Sequence, residues 1–446
     1  MLRALCACLL LLTPSPLWAG GTDPFGGFDD IPAAPAGEAA AAPEDEGRKF
    51  FSGYAKLGTA INFAHHAPQE GETDRRGLSR LRAELQLEAD YRLLDWKLFA
   101  GVKGAYDFAY GLNGRDNSTP QVLDSQEEEA ELGEAFIQRA VRENLDIKLG
   151  RQIVVWGRSD TFRVTDILNP LDNREPGLTD IEDLRLPAAM SKIDYFQGPW
   201  QLSFVGVHEH RASKLPPFGS DFYPSSTPAP ADNTPAATLG NTGLALEARA
   251  VLPGWDISLY EANLHADQTA IVPSSPPIQE HPRINMIGMA MSAASGNFLY
   301  ILEAARLDGL QFMADYPQDH ARTDLLAGVE YRGITDTAIS LDLVNRHLHH
   351  FRPELSQSPE APQRNETQTA LRIDRNLLHD RLTLTALLIL VDEWGDDGAM
   401  QRFTAAYDLA DNWTLTGGVI FYQSGSGAMA SLGDNDRVFL ELRYDF

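Results

Sequence analysis

DRVFLELRYDF, residues 436–446, ends the chain, and the reading of every other segment depends on it. Val438, Leu440, Leu442, Tyr444 and Phe446 alternate with Arg437, Phe439, Glu441, Arg443 and Asp445. A period of two with one apolar face is the pattern of a β-strand, whose side chains point alternately to opposite sides. The apolar face carries no charge and closes on an aromatic ring, so it needs apolar surroundings. A soluble sheet would offer a core there; a closed barrel in a membrane would offer lipid.

The N-terminus narrows that choice. MLRALCACLLLLTPSPLWAGG places Arg3 before an apolar run, Ala4 to Leu12, with Pro14 and Pro16 breaking it and small residues Ala19 and Gly20 following. This is the layout of a secretory signal peptide, predicted over residues 1–19. Cys8 faintly suggests a lipoprotein site, but it lies ahead of most of the apolar core. Cys6 and Cys8, the two cysteines, both leave with the signal, which excludes disulfides, thiolate metal sites and cysteine nucleophiles from the mature chain. The net charge of −26 argues against nucleic acid, whose phosphates require a basic stripe. No later apolar run has the length of a transmembrane helix. A membrane-spanning mature chain must therefore be a closed barrel, because only helices and barrels satisfy every backbone group in lipid.

Alternating segments recur from Phe51 onward, joined by connections that switch between long and short. Leu94, Glu143, Gly198-Pro199, Pro253-Gly254 and Ala294-Ser295 make tight turns, whereas 65–77, 111–128, 157–187, 211–239 and 266–282 are long. Short periplasmic turns, long external loops and an even strand number define outer-membrane barrels. The terminal strand resembles the signal carried by such barrels, with Phe446 as the insertion signal read by the barrel-assembly machinery. The expected fold is all-β: a transmembrane antiparallel up-and-down barrel over residues 50–446, of about eighteen strands, with sixteen as the alternative. In the second strand Leu81, Ala83, Leu85, Leu87, Ala89, Tyr91 and Leu93 share one face. Arg80, Arg82, Glu84, Gln86, Glu88, Asp90 and Arg92 share the other, a charged ladder facing the lumen. Residues 20–49, rich in Ala, Pro, Gly and acids, read as a disordered periplasmic arm, with Phe25–Phe28 as a docking peptide or a plain linker.

Tryptophan placement supports the membrane. Trp96, Trp200, Trp255 and Trp413 each follow a tight turn, while Trp156 and Trp394 each precede a long loop. Indole favours the lipid–water interface, so the six predict two girdles.

The longest charged connection follows the fifth strand, read as 144–156. GRQIVVWGRSDTFRVTDILNPLDNREPGLTDIEDLRLP, residues 150–187, mixes Phe162, Val164, Ile167, Leu168, Leu171 and Leu178 with dense charge. Those apolar residues would not stay in water along a mobile loop. A barrel this wide leaves an aqueous channel, so the loop is expected to fold inward and narrow it. Asn169-Pro170 and Pro176-Gly177 are turn dipeptides, and Thr179-Asp180-Ile181-Glu182 reads as a capping box that opens a short helix stopped by Pro187. Arg158, Arg163, Arg174 and Arg185 opposite Asp160, Asp166, Asp172, Glu175, Asp180, Glu182 and Asp183 would set a transverse field at a constriction. The alternatives are that these charges only pair with one another, or that the acids bind calcium, for which the spacing of a known motif is missing.

GRQIVVWG followed by Asn169-Pro170 and Leu186-Pro187 resembles uncharacterised proteobacterial outer-membrane proteins of a domain-of-unknown-function family, themselves distantly like alginate-export porins. The resemblance is carried by Gly150, Arg151, Gln152, Val154, Trp156 and Gly157 and is firm over about residues 145–200. It implies a porin-like barrel without a catalytic role. Kinship with members that work beside resistance–nodulation–division exporters of hydrophobic compounds implies a periplasmic export component as a partner.

Strands apolar on both faces, around Met286, Met289, Leu387, Ile389 and Val391, would give the bore greasy sectors for amphipathic or hydrophobic solutes, or pack against the inward loop. The leading function is a channel for small molecules in the outer-membrane lipid, with no cofactor and no metal. A structural barrel that docks an export partner is the second class. A hydrolase is the third: His208, Glu209 and His210, or His347, His349 and His350, could supply a base, but no nucleophile or zinc motif accompanies them.

Overall fold

Arg437–Asp445 is a strand with Val438 and Leu440 half-exposed outside and Arg437 and Phe439 buried inside. It pairs antiparallel with Phe51–Asn62 on one side and with Trp413–Gln423 on the other. The first and last strands therefore meet, and the sheet has no edge. The computed structural model describes residues 50–68, 74–179, 181–357, 361–392, 394–426, 429–430 and 432–446. The signal segment 1–19, the arm 20–49 with its Phe25–Phe28 patch, Asp180 and the Glu182 side chain lie outside the described residues.

Eighteen antiparallel strands make the barrel. They are β1 (Phe51–Asn62), β2 (Gly77–Leu93), β3 (Trp96–Asp107), β4 (Glu128–Arg142), β5 (Leu145–Gln152), β6 (Ala188–Gln197), β7 (Trp200–Val207), β8 (Gly243–Leu252), β9 (Trp255–His265), β10 (Arg283–Ser295), β11 (Phe298–Leu310), β12 (His320–Ile334), β13 (Thr337–Leu348), β14 (Asn365–Leu377), β15 (Leu382–Val391), β16 (Ala399–Ala410), β17 (Trp413–Gln423) and β18 (Arg437–Asp445). Each strand pairs with its neighbours in sequence. Leu85, Leu87, Leu202, Leu259, Ile287, Leu325, Leu341 and Leu440 all face outward and exposed, giving the apolar belt that hydrocarbon requires. No helix among the described residues is long and apolar enough to cross a membrane. Short helical turns occupy 109–127 in the second long loop, and three short strands from the fourth and fifth loops, 231–233, 270–272 and 278–280, form a small sheet above the barrel.

Two expectations need correction. β5 stops at Gln152 rather than Trp156: pairing runs on past Gly150 to Arg151 and Gln152, and the Ile153 and Val154 N–H groups then turn to Glu134 Oε1 and Asn169 Oδ1. Gly150 has φ +125, and a Cβ there would overlap the Ala135 carbonyl oxygen across the pair. Trp156 is consequently not at an interface: it is 2% exposed, deep in the lumen, with its ring 4.7 Å from that of Tyr260. Trp96, Trp200, Trp255 and Trp413 open the upward strands β3, β7, β9 and β17, and Trp394 stands exposed just beyond β15. The greasy-sector residues divide by parity. Met286 points inward and is fully buried, whereas Met289, three residues on, faces outward and is 41% exposed.

Candidate constriction site

The third long loop, residues 153–187, crosses the bore as a bar. Its first third is sewn to the β6–β14 side. Val154, Trp156, Phe162, Val164 and Leu168 pack into one apolar cluster with Met190, Val205, Tyr260, Met286, Ile301, Leu326 and Val344. The buried Gln152 amide donates to Met190 O at 3.0 Å, and Asn169 Oδ1 accepts the Val154 N–H at 2.8 Å. Asn169 Nδ2 donates to Gln152 O and Leu186 O, which ties the two ends of the loop together. The middle reaches the far wall: Leu178 packs on Ile420 and Phe439, and the Tyr422 hydroxyl donates to Pro176 O. The return limb pairs with the outgoing one, Asp172 N–H to Leu184 O and Leu186 N–H to Pro170 O, both 2.8 Å. Residues Ile181–Leu184 form a short 3-10 helix where the capping box predicts a helical turn.

Glu303 fastens the bar and was missed in the sequence. It projects inward from β11 with 4% exposure. Its carboxylate accepts the N–H groups of Arg158, Ser159 (2.9 Å) and Thr165 (3.4 Å) and the Thr165 hydroxyl (3.0 Å). Gly157, φ +86, lets the backbone come this close, since a Cβ would lie 2.9 Å from Glu303 Oε2. A detectable signal existed. Ile301, Glu303, Ala305 and Leu307 share the inward face of β11, and the acid is the one charge among them.

The predicted constriction charges separate into two groups. Asp172, Arg174, Glu175, Asp183 and Arg185 line a polar cavity of about 400 Å³ between the bar and the β1–β4 and β18 wall. Arg158, Asp160, Arg163 and Asp166 do not border that cavity. Arg158 donates to Asp256 (2.7 Å) and Ser258 (2.8 Å), Arg163 donates to the carbonyls of Asp166 and Asn169, and Asp166 accepts from Arg185 (2.9 Å). Asp160 is exposed elsewhere in the lumen.

Across the cavity stands the β2 ladder. Arg80, Arg82, Glu84 and Glu88 line it, while Arg92 lies exposed towards the turn end. Ladder and bar are joined by ion pairs: Arg80 to Glu175 at 3.2 Å, Arg82 and Arg174 to Glu129, and Lys214 of the fourth loop to Glu129 and Glu131. Lys56, Lys103 and Arg443 complete a wall of mixed sign.

The rim histidines make local contacts. His208 Nε2 meets Ser191 Oγ at 2.8 Å, His347 Nδ1 meets Asn365 Oδ1 at 2.7 Å and His349 Nε2 meets Thr323 Oγ1 at 2.8 Å. His210 sits among His281 and His265, and burial first, then those two rings, pushes its pKa down to about 4. Among the described residues no three His, Cys, Asp or Glu side chains are arranged to hold a metal ion.

Residues 70–446 match a family described as "Protein of unknown function (DUF1302)". No curated protein matches the chain. Among solved structures it is similar to a BenF-like porin from Pseudomonas fluorescens Pf-5, with TM-score 0.54, 12% identity, and coverage of 89% of this chain and 97% of that one. OccAB1 of Acinetobacter baumannii gives TM-score 0.54 at 9% identity over 89% and 95%. OccK2 (OpdF) of Pseudomonas aeruginosa, solved in complex with glucuronate, gives 0.51 at 11% identity over 89% and 97%. At these identities the likeness is one of fold, the porin-like barrel.

Proposed function

The chain belongs to the DUF1302 family of unknown function, and from that premise we propose that it is an outer-membrane channel for small hydrophilic solutes. The observation that carries this reading is the division of the bore by residues 153–187. The apolar half of the wall is covered by the loop's own Trp156, Phe162 and Leu168. The space left open is lined by alternating cations and carboxylates, which is how water-filled pores select their solutes. Met286 serves as a seat for the loop rather than as a hydrophobic path. Asp172, Arg174, Glu175, Asp183 and Arg185 are the proposed constriction, with Arg80, Arg82, Glu84 and Glu88 as the facing ladder.

The outward apolar belt supports a home in the outer membrane. Phe446 pairs its backbone with Gly53, N–H to O at 3.0 Å and back at 3.2 Å, beside the final strand. That position suits a terminal mark for the assembly machinery. Planar-bilayer recording of the purified protein is the test. Discrete ion-current steps are expected, and deleting residues 160–185 should enlarge them several-fold. A protein that inserts but passes no current in either form would defeat the proposal.

A further inference from the structure

On the loop side of the passage lies a second cavity of about 90 Å³, several times the ~15 Å³ that one water molecule needs. It shares Gln126 and Glu175 with the larger cavity, so an occupant would stand at the entrance of the passage. Its roof is a strap from the fourth long loop, which is rooted between β7 and β8 yet fastened to loops on the opposite side. Arg75 donates to Gly219 O at 3.0 Å, the Thr119 hydroxyl donates to Phe218 O, and Asn435 Nδ2 donates to Asp221 O at 3.0 Å. Phe222 is 4% exposed, with the Arg437 guanidinium 4.4 Å from its ring centroid and Tyr422 edge-on at 5.7 Å.

The wall chemistry decides what could lie inside. The charges at the cavity are already matched. Glu175 faces Arg80 at 3.2 Å, Asp221 stands between Arg75 at 3.6 Å and Arg437 at 3.5 Å, and Asp74 takes a two-pronged bond from Arg76. An incoming ion would have to give up its hydration and break one of these pairs. Hydroxyls and carboxamides remain. The Ser220 Oγ is buried without a hydrogen-bond partner, in a residue 6% exposed, and such an atom in a folded protein points to a missing water or ligand. The Tyr110 hydroxyl donates to Gln126 Oε1 at 2.8 Å. Burial first, then the carboxylates of Glu175, Asp107 and Asp221, hold that phenol protonated far above its usual range. Asn113 adds a carboxamide.

We propose that this roofed cavity is a capture site for small neutral solutes bearing hydroxyl or carboxamide groups, which load there before entering the passage. The site rests on the channel reading above and adds to it a class of solute and a place of first contact.

Swelling of proteoliposomes carrying the full chain tests it, with glycerol and urea as probes. Flux is expected to saturate with concentration. Tyr110→Phe and Ser220→Ala, each removing one hydroxyl with little change of shape, should each raise the half-saturation concentration several-fold. Flux that rises linearly in the parent protein, or a half-saturation concentration that neither variant moves, overturns the capture site and leaves a water-filled void. Potassium chloride conductance of the same preparation separates the two failures. Conductance with linear glycerol flux removes the capture site alone, and absence of conductance removes the channel with it.

Discussion

The two sides of the bore are built from the same alternating strands and do opposite things. On the β6–β14 side the inward positions under the third loop include Met190, Val205, Ala262, Met286, Ile301 and Val344, all buried, with Asp256, Glu303 and Asp342 among them as anchors for Arg158, Thr165 and Ser159. On the β1–β4 and β18 side they are Lys56, Arg80, Arg82, Lys103, Glu129 and Arg443, and space remains in front of them. A wide barrel cannot fill itself from its own wall. This one fills half with a loop, and the apolar inward positions on that side stand against the loop's own apolar side chains. Hydrophobic inward positions therefore mark where the loop is seated, not where a hydrophobic solute travels.

The severest challenge to that contrast is to unseat the loop without touching the open side. Glu303→Leu removes the acceptor of four hydrogen bonds from residues 158–165. Hydrogen bonds to a charged group contribute about 1.5–3 kcal/mol each, so docking should weaken by several kcal/mol. Single-channel recordings should then show larger and noisier openings that approach those of the 160–185 deletion. Quiet, parent-sized openings would mean that the apolar contacts alone hold the bar and that Glu303 is not a positioning residue.

Trp156 gives the next largest effect. Truncating a buried aromatic side chain costs about 3–5 kcal/mol, so Trp156→Ala should lower the midpoint of heat unfolding on gels, while Trp413→Ala, at 40% exposure on the outer wall, should barely move it. Brominated lipid sharpens the same comparison. It should quench Trp200, Trp255 and Trp413 and leave Trp156 bright, and strong quenching of Trp156 would return it to the membrane interface.

Trp156 also shows where sequence reasoning succeeds and where it stops. Period-two alternation is local, so all eighteen strands, their turns and the inward ladder of β2 could be read from spacing. Ile153, Val154 and Val155 are β-branched and read as more strand, yet their backbone bonds go elsewhere: Val154 donates to Asn169, and Ile153 to Glu134 Oε1. Only those contacts, with Glu134 on β4 and with Asn169 further along the loop, reveal why the ladder ends, and no local pattern records them. The sorting of loop charges was illegible for the same reason. Arg158 and Arg174 belong to the same charged loop, but one meets Asp256 on β9 and the other Glu129 on β4. Glu303, by contrast, was legible as a lone acid on an apolar inward face.

The smallest effect makes the cleanest comparison, because one charge is removed on each side. Lys103→Gln takes a cation from the wall of the passage. Two unit charges 4 Å apart in water interact by about 1 kcal/mol, so the permeability ratio should move toward cations by about fivefold, with little change in conductance noise. The shift should shrink in high salt, where the Debye length falls to ~3 Å at 1 M. Arg158→Gln removes the same charge on the sealed side, where the guanidinium bonds Asp256 and Ser258 and does not border the passage. There the reversal potential should stay near that of the parent while loop noise rises, because a staple has been cut and no ion was being sorted. Equal shifts in reversal potential from both variants would show that ions use both sides of the bar. In that case the apolar seat around Met286 is not a seal, and the division of the bore does not govern transport.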